Sequence, residues 1–179
     1  MKNLDIKGLS TNYRHALETA RDNGEFERDI SFSHFPYGCC GDTCYLLAEY
    51  LRTFGVESIY YSGNRKDWSH AWLVIKNRKV KAPTPKDFSW PDELQVTLEG
   101  YGVEHADQPT VITRYEEADL ESGAIIDITG DQFSDYDIPV YVGVKDSFHQ
   151  EFEFSFAHDY EGLNDVRLSR LYRKIVKYL

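Results

Sequence analysis

The chain has 179 residues, of which 41% are apolar and 28% are charged, and its formal net charge is −10. This size and composition fit one globular domain and exclude a disordered or fibrous chain. No run approaches the roughly 20 consecutive apolar residues of a membrane helix, and the N-terminus lacks the apolar core of a signal peptide. We therefore expect a soluble, cytoplasmic protein that works in its own cell or is delivered to another as an effector.

The negative charge is concentrated in one segment. Residues 91–137 hold thirteen Asp and Glu against the single Arg114. Nucleic-acid binding needs a basic stripe that displaces phosphate counterions, and the Lys and Arg residues here are scattered apart from a short C-terminal cluster. We expect neither nucleic acid nor a membrane as a partner.

The N-terminal region predicts one helix. Ser10 and Thr11 are residue types that cap helices, and the sequence that follows predicts a helix over about residues 12–22. The pair Asn23–Gly24 is typical of a helix C-terminus and ends it.

A second helix and a strand pair follow. Apolar residues recur at helical spacing from Gly41 to Phe54, and Gly55 ends this helix. Residues 56–62 and 70–75 are rich in β-branched and aromatic side chains, which favour strands. They predict an antiparallel pair with its turn at Gly63–Asn64.

The second half of the chain predicts an insertion and then more of the core. Residues 77–122 hold four of the six prolines and show no sustained periodicity, so we interpret them as an acidic insertion. This segment has three interpretations: a solvated surface loop, a binding surface for a basic partner, or a lid over the active-site cleft. Strand-like composition over 124–129, 139–144 and 148–156 predicts a sheet of four or five strands. A C-terminal helix is predicted over about 162–178.

The candidate chemistry begins with three cysteines, Cys39, Cys40 and Cys44, which lie too close together for a disulfide framework. The first turn of a helix lowers the pKa of a thiol, and Cys40 occupies that place. His70 starts a strand that a hairpin can bring back to the sulfur as a base. Asp127, in a strand that can pair beside it, is the natural group to orient the imidazole.

This pattern resembles the transglutaminase-like branch of the papain-like cysteine enzymes, through residues 36–76 and 123–133. In that family the nucleophile begins a helix, and a Leu-Arg-x-x-Gly exit, a strand ending Ser-Gly, a His-Ala-Trp strand and an Asp-x-Thr strand follow. The same order is found here at Cys40, Leu51–Val56, Tyr61–Gly63, His70–Trp72 and Asp127–Thr129. Two departures are Val56–Glu57 in place of an Ile-Pro turn and a longer distance in sequence between the His and the Asp.

From length and composition we expect a single α+β domain over residues 1–179, and the resemblance implies a papain-like, transglutaminase-like core of N-terminal helices packed on an antiparallel sheet. It implies a cysteine peptidase or amidase that uses no cofactor and forms a thioester on Cys40. A protein-glutamine transglutaminase or deamidase is the alternative, because these reactions share the triad. A binding scaffold that has lost catalysis is the second alternative. The substrate is a protein or peptide, rich in Lys or Arg if the acidic insertion borders the site.

The oxyanion hole and the substrate cleft need further groups besides the Cys40 N–H. The candidates for a second donor or for the cleft rim are His34, Tyr37, Trp68, Trp72 and Gln132.

Structural interpretations stand beside these functional ones. Cys40 can be a packed, inert thiol, His70 an ordinary strand histidine, and Asp127 a partner of an Arg or of backbone amides. A zinc site is a further alternative, but the cysteines lack a paired C-x-x-C and the only candidates for a fourth ligand are His34 and His70. We therefore expect no metal.

Overall fold

The computed structural model describes residues 4–77, 80, 84–88 and 110–179. Within these ranges, three long helices pack against one face of a five-stranded antiparallel sheet. This arrangement confirms the predicted α+β class. None of the helices in these ranges combines the length and the apolarity needed to cross a membrane.

Helix α1 spans Ile6–Asp22 and begins six residues before the predicted start. Asp5 is the N-cap, and its carboxylate accepts a hydrogen bond of 2.8 Å from the Gly8 N–H. The predicted capping role of Ser10 and Thr11 is wrong, because their hydroxyls donate to carbonyls one turn earlier inside the helix. The C-terminal prediction is confirmed: Asn23 is the C-cap and the next residue, Gly24, has a φ of 74°.

Helix α2 spans Cys40–Arg52, close to the predicted range. Its buried residues Leu46, Leu47 and Leu51 recur at the helical period and face the core. Gly55, with a φ of 76°, ends the helix as predicted, because a left-handed residue past the last turn suits glycine.

Strands β1 (Ser58–Arg65) and β2 (Trp68–Ile75) form the predicted antiparallel hairpin. The predicted turn position is wrong: Gly63 lies inside β1, and the turn follows at Lys66, whose φ is 56°. Gly63 serves a close approach instead, since a Cβ there would lie 2.9 Å from the Cβ of Phe152.

The remaining strands of the sheet are β5 (Ile125–Asp127), β6 (Tyr141–Gly143) and β7 (Glu153–Asp159), and the strand order is β6-β5-β2-β1-β7. The first part of the predicted strand over 148–156 is wrong. Ser147–Gln150 instead forms a short helix, α4, because Asp146 caps it. In this helix the side chains of Phe148 and His149 are buried.

Part of the predicted insertion pairs with itself. Strands β3 (Thr84–Phe88) and β4 (Thr110–Arg114) form a separate antiparallel pair, and a short helix α3 (Glu117–Leu120) follows. The pairing was not predicted, because the prolines and the lack of alternation indicated a loop. Residues 78–79, 81–83 and 89–109 of the acidic insertion lie outside the described residues, so the prediction that the insertion borders the site cannot be compared with the structure there.

Helix α5 spans Val166–Ile175, four residues shorter at its start than predicted, because Asp165 caps it. Its buried Leu168, Leu171 and Ile175 complete the apolar layer that α1 and α2 form on the sheet. Alternate residues of the strands face a second apolar layer on the other side, which contains Ile59, Tyr61, Trp72, Val74, Ile125, Phe148 and Phe152. The fold thus buries both faces of the central strands.

Candidate active site

Cys40 is the first residue of α2, where backbone N–H groups have no intrahelical acceptor and the helix dipole favours an anion. Burial opposes ionisation of this thiol, but the His70 imidazole outweighs it through a hydrogen bond and its positive charge. The backbone of Ala71 and the side chain of Gln132 add further hydrogen bonds, and the net effect is to lower the pKa of the thiol. The surroundings of Cys40 therefore favour its thiolate form more than those of an ordinary cysteine do.

The other two cysteines lie in different surroundings. Burial raises the pKa of the Cys39 thiol to about 12, and its sulfur packs beside the Pro36 carbonyl and the Thr43 hydroxyl. Burial likewise raises the pKa of Cys44, one helical turn after Cys40, well above its ordinary value. All three are free thiols. The electrostatics therefore select Cys40 as the reactive sulfur.

His70, in β2, joins the sulfur to a carboxylate. Its Nε2 lies 2.8 Å from Oδ2 of Asp127, which leaves Nδ1 to face Cys40. Burial would lower the pKa of this imidazole, but the charge and hydrogen bond of Asp127, together with Cys40, raise the pKa to about 9. The opposite shifts of thiol and imidazole both stabilise a thiolate–imidazolium pair.

Asp127, at the end of β5, is fully enclosed. Its Oδ1 accepts hydrogen bonds from the Thr129 N–H (2.9 Å) and hydroxyl (3.2 Å), while Oδ2 accepts from His70. Burial opposes ionisation of this carboxyl group, but the charges and hydrogen bonds of His70 and His149 outweigh it and hold the pKa of Asp127 well below its usual range. The carboxylate is thus ionised and turned toward the imidazole, on the face of the sheet that the Cys–His–Asp prediction requires.

Gln132 lies beside both the thiol and the imidazole, in a short 3-10 helix after β5. Its Oε1 accepts from the Gly38 N–H at 3.2 Å, and its Nε2 is 3.0 Å from Nδ1 of His70. Because the Gly38 donor fixes the carbonyl side of the amide, the NH₂ group faces His70 and Cys40. The Gln132 NH₂ group can donate to Nδ1 of a neutral His70. When Nδ1 carries a proton, the same group can donate to the thiolate or to an oxyanion instead.

A buried arginine holds the segment that carries Gln132. Arg14 of α1 is 4% exposed and pairs with both carboxylate oxygens of Asp131 at 2.8 Å. It also donates to the Ile128 carbonyl at 2.6 Å. The loop after β5 is therefore fixed to α1 on both sides of Thr129.

Replacing Arg14 with methionine is expected to lower the free energy of unfolding by about 3 to 5 kcal/mol, because it leaves Asp131 and the Ile128 carbonyl without their partner. Urea denaturation measures this loss. Arg52→Met is the matched control: Arg52 pairs with Glu49 at the surface, so we expect a loss of no more than about 1 kcal/mol. Equal losses in the two variants would contradict the anchoring role of Arg14.

Cys40 opens onto a cleft of about 750 Å³ between the start of α2, the β1–β2 turn and the segment after β5. Two exposed aromatic side chains line it, Tyr37 (60% exposed) and Trp68 (66% exposed). Gln132 lines it as well, and its rim includes the charged side chains of Arg65, Lys66, Asp67, Asp135 and Glu151. Three of the five predicted accessory residues thus meet at the sulfur.

The other two predicted accessory residues lie elsewhere. Trp72 is fully buried and stacks on Tyr61 in the second apolar layer, so it does not wall the cleft. His34 is exposed, its Nδ1 lies near the Ile30 carbonyl and the Ser33 hydroxyl, and it does not line the cleft. Neither side chain is placed to donate to an oxyanion.

His149 is a residue of this network that the sequence did not predict. It is fully buried, and its Nε2 lies 3.2 Å from the same Asp127 Oδ2 that binds His70. Its Nδ1 lies 2.6 Å from Oδ1 of Asp146. One signal was present: an Asp three residues before a His indicates a helix N-cap, which would have replaced the predicted strand at this point.

The zinc alternative gains no support. Across residues 4–77, 80, 84–88 and 110–179, no group of three or more His, Cys, Asp or Glu side chains is positioned to hold a metal ion.

The site therefore combines the start of α2, β2, β5 and the short helix after β5, which are distant in sequence and meet at one end of the sheet. Comparison with protein-family models, with curated proteins and with solved structures finds no match for this chain.

Proposed function

We propose that this protein is a thiol-dependent amide hydrolase, a cysteine peptidase or amidase, whose core is papain-like in its transglutaminase-like form. The observation that carries the proposal is the continuous contact from Cys40 through His70 to Asp127, with the sulfur at a helix N-terminus and open to a cleft. An inert packed thiol would have a raised pKa, as Cys39 has. The pKa of Cys40 is shifted the other way.

In the proposed reaction, the Cys40 thiolate attacks the carbonyl carbon of a bound amide. The C–N bond breaks as the His70 imidazolium transfers its Nδ1 proton to the departing amine, which leaves a thioester on the sulfur. Asp127 keeps the ring in the tautomer with a proton on Nε2 and stabilises its charged form.

The oxyanion of the tetrahedral intermediate needs preorganised donors. The backbone N–H of Cys40 is one, because it belongs to the first turn of α2. The Gln132 NH₂ is the second: the Gly38 N–H fixes its orientation, and it lies beside the sulfur and the imidazole.

Water completes the reaction. The neutral His70 takes a proton from a water molecule, the hydroxide attacks the thioester, and the acid leaves with the thiol restored as the thiolate–imidazolium pair. Hydrolysis needs no second substrate, because water reaches the acyl group through the open cleft. A transglutaminase would instead need to favour a Lys amine over water at the same carbonyl.

Incubating wild type and Cys40→Ala with a mixture of Gln- and Lys-containing peptides tests the assignment. We expect new peptide termini, or release of ammonia from simple amides, only with the wild type. Gln-to-Glu conversion would assign a deamidase and Lys isopeptide bonds a transglutaminase. If neither the wild type nor Cys40→Ala forms any product over a broad peptide panel, the result would support the inactive binding scaffold.

Replacing Gln132 with alanine is expected to lower kcat by about 10²- to 10³-fold with little effect on stability, because it removes one oxyanion donor. Steady-state kinetics on whichever amide the wild type cleaves measures the effect. Gln150→Ala is the matched control, since Gln150 is exposed and donates only to the Lys145 carbonyl outside the cleft. An unchanged kcat in Gln132→Ala would remove Gln132 from the oxyanion hole.

A further inference from the structure

A second histidine is buried against the carboxylate of the proposed triad. His149 in α4 has no exposed surface, and its two ring nitrogens face two different carboxylates. Nε2 lies 3.2 Å from Oδ2 of Asp127, and Nδ1 lies 2.6 Å from Oδ1 of Asp146. The mechanism proposed above uses His70 and Asp127 but gives His149 no role.

The partners of the two carboxylates determine how many protons the His149 ring carries. Asp127 accepts from Thr129 and His70, and Oδ2 of Asp146 accepts from the Tyr136 hydroxyl at 2.9 Å. The charge of His70 keeps Asp127 ionised, and the Tyr136 hydroxyl donates to the Asp146 carboxylate, so neither carboxyl group supplies a proton to the ring. A neutral imidazole would turn a lone pair toward one carboxylate, whereas an imidazolium donates to both. The contacts therefore specify a doubly protonated ring.

Aromatic rings enclose His149. Trp72 of β2, Tyr136 and Phe148 meet the imidazole edge to face, and Tyr141 of β6 lies beside it at 5.1 Å between ring centres. The titratable groups around it are Asp127, Asp146, the hydroxyl-bearing rings of Tyr136 and Tyr141, and the His70 imidazole on the same Oδ2 of Asp127. This enclosure excludes water and strengthens the charge interactions within it.

We propose that His149 is a positioning residue that, as an imidazolium, locks the Asp127 carboxylate toward His70 and limits how tightly that carboxylate holds the proton on His70. Both histidines donate to the same oxygen, so the charge of one opposes the charge of the other. The consequence rests on the proposed function: His70 gives its proton to the leaving amine more readily than it would beside an unshared carboxylate.

The test follows the two histidines by NMR and needs no substrate. In wild type with ¹⁵N-labelled histidine, we expect a proton on both ring nitrogens of His149, because each nitrogen faces a carboxylate oxygen. In His149→Gln, which keeps a donor for Asp127 but removes the charge, the titration midpoint of His70 is expected to rise by about one pH unit. His158→Gln is the matched control, because His158 contacts Tyr45 and the Asp159 carbonyl, away from the network.

Two results would overturn the proposal. One is a His149 ring with a single protonated nitrogen, which is measured on wild type and does not depend on a variant folding. The other is an unchanged His70 midpoint in folded His149→Gln, which indicates a purely structural role. Neither measurement depends on turnover. A shifted His70 midpoint without amide hydrolysis would therefore reject the proposed hydrolase reaction and retain the positioning role of His149.

Discussion

Replacing Cys40 with alanine is expected to abolish amide hydrolysis, with a loss of about 10⁴-fold or more in kcat/KM. No other thiol can take over, because burial raises the pKa of both Cys39 and Cys44. The variant should remain folded, since Cys40 is only partly buried at the edge of the apolar core and alanine keeps its Cβ. Circular dichroism and thermal unfolding check this, and mass spectrometry of the products measures turnover.

Cys39→Ser is the matched control for the nucleophile. It changes the adjacent thiol, keeps a group able to donate to the Pro36 carbonyl, and leaves the contacts of Cys40 with His70 in place. We expect measurable hydrolysis from this variant and a thioester intermediate trapped on residue 40. Activity that is retained in Cys40→Ala and lost in folded Cys39→Ser would contradict this assignment and identify Cys39 as the nucleophile.

Replacing Asp127 with asparagine is expected to reduce both turnover and stability. Turnover should fall by about 10²- to 10⁴-fold, because the amide no longer stabilises the His70 imidazolium or selects its tautomer. The free energy of unfolding should fall by about 3 to 5 kcal/mol, because the new NH₂ group meets the donors of His70, His149 or Thr129 in a closed space. Asp22→Asn, at an exposed position, serves as the control.

The stability difference between wild type and Asp127→Asn should depend on pH. The pKa of Asp127 is lower in the folded protein than in the unfolded chain, where it is about 3.9. Its contribution is therefore fully present above that pH and is lost as the pH falls through the lower, folded pKa. Urea unfolding at a series of acidic pH values should show the two proteins converging. A constant difference down to the acid limit would mean that the charge of Asp127 does not stabilise the fold.

The nucleophile helix and its hairpin were predictable because local patterns determine them. The apolar period of α2 and the left-handed glycine at its end involve only neighbouring residues, so Cys40 at the helix start followed directly. The β1–β2 turn was misplaced because Gly63 is needed by β7, which approaches from about ninety positions away in the chain. A glycine required by a distant strand has the same local pattern as one required by a turn.

The accessory residues were harder to predict than the triad. Gln132 reaches the site because Arg14, more than a hundred residues earlier, fixes its segment through Asp131. Trp72 was expected in the cleft because it lies close to His70 in sequence. Residues two apart in a strand share one face of the sheet, and at Trp72 the second apolar layer covers this face. His149 depended on a cap that turned a predicted strand into a helix. These positions follow from long-range packing, which periodicity does not encode.

The most direct test of the proposed site is the pH dependence of Cys40 alkylation by iodoacetamide, followed residue by residue with mass spectrometry in wild type and His70→Gln. We predict that wild-type Cys40 reacts with a midpoint below the ordinary thiol value of about 8.5, faster than Cys39 and Cys44, and that His70→Gln moves the midpoint up toward or beyond that value. A wild-type midpoint near 8.5 that His70→Gln leaves unchanged would contradict the thiolate–imidazolium pair and the catalytic role that depends on it.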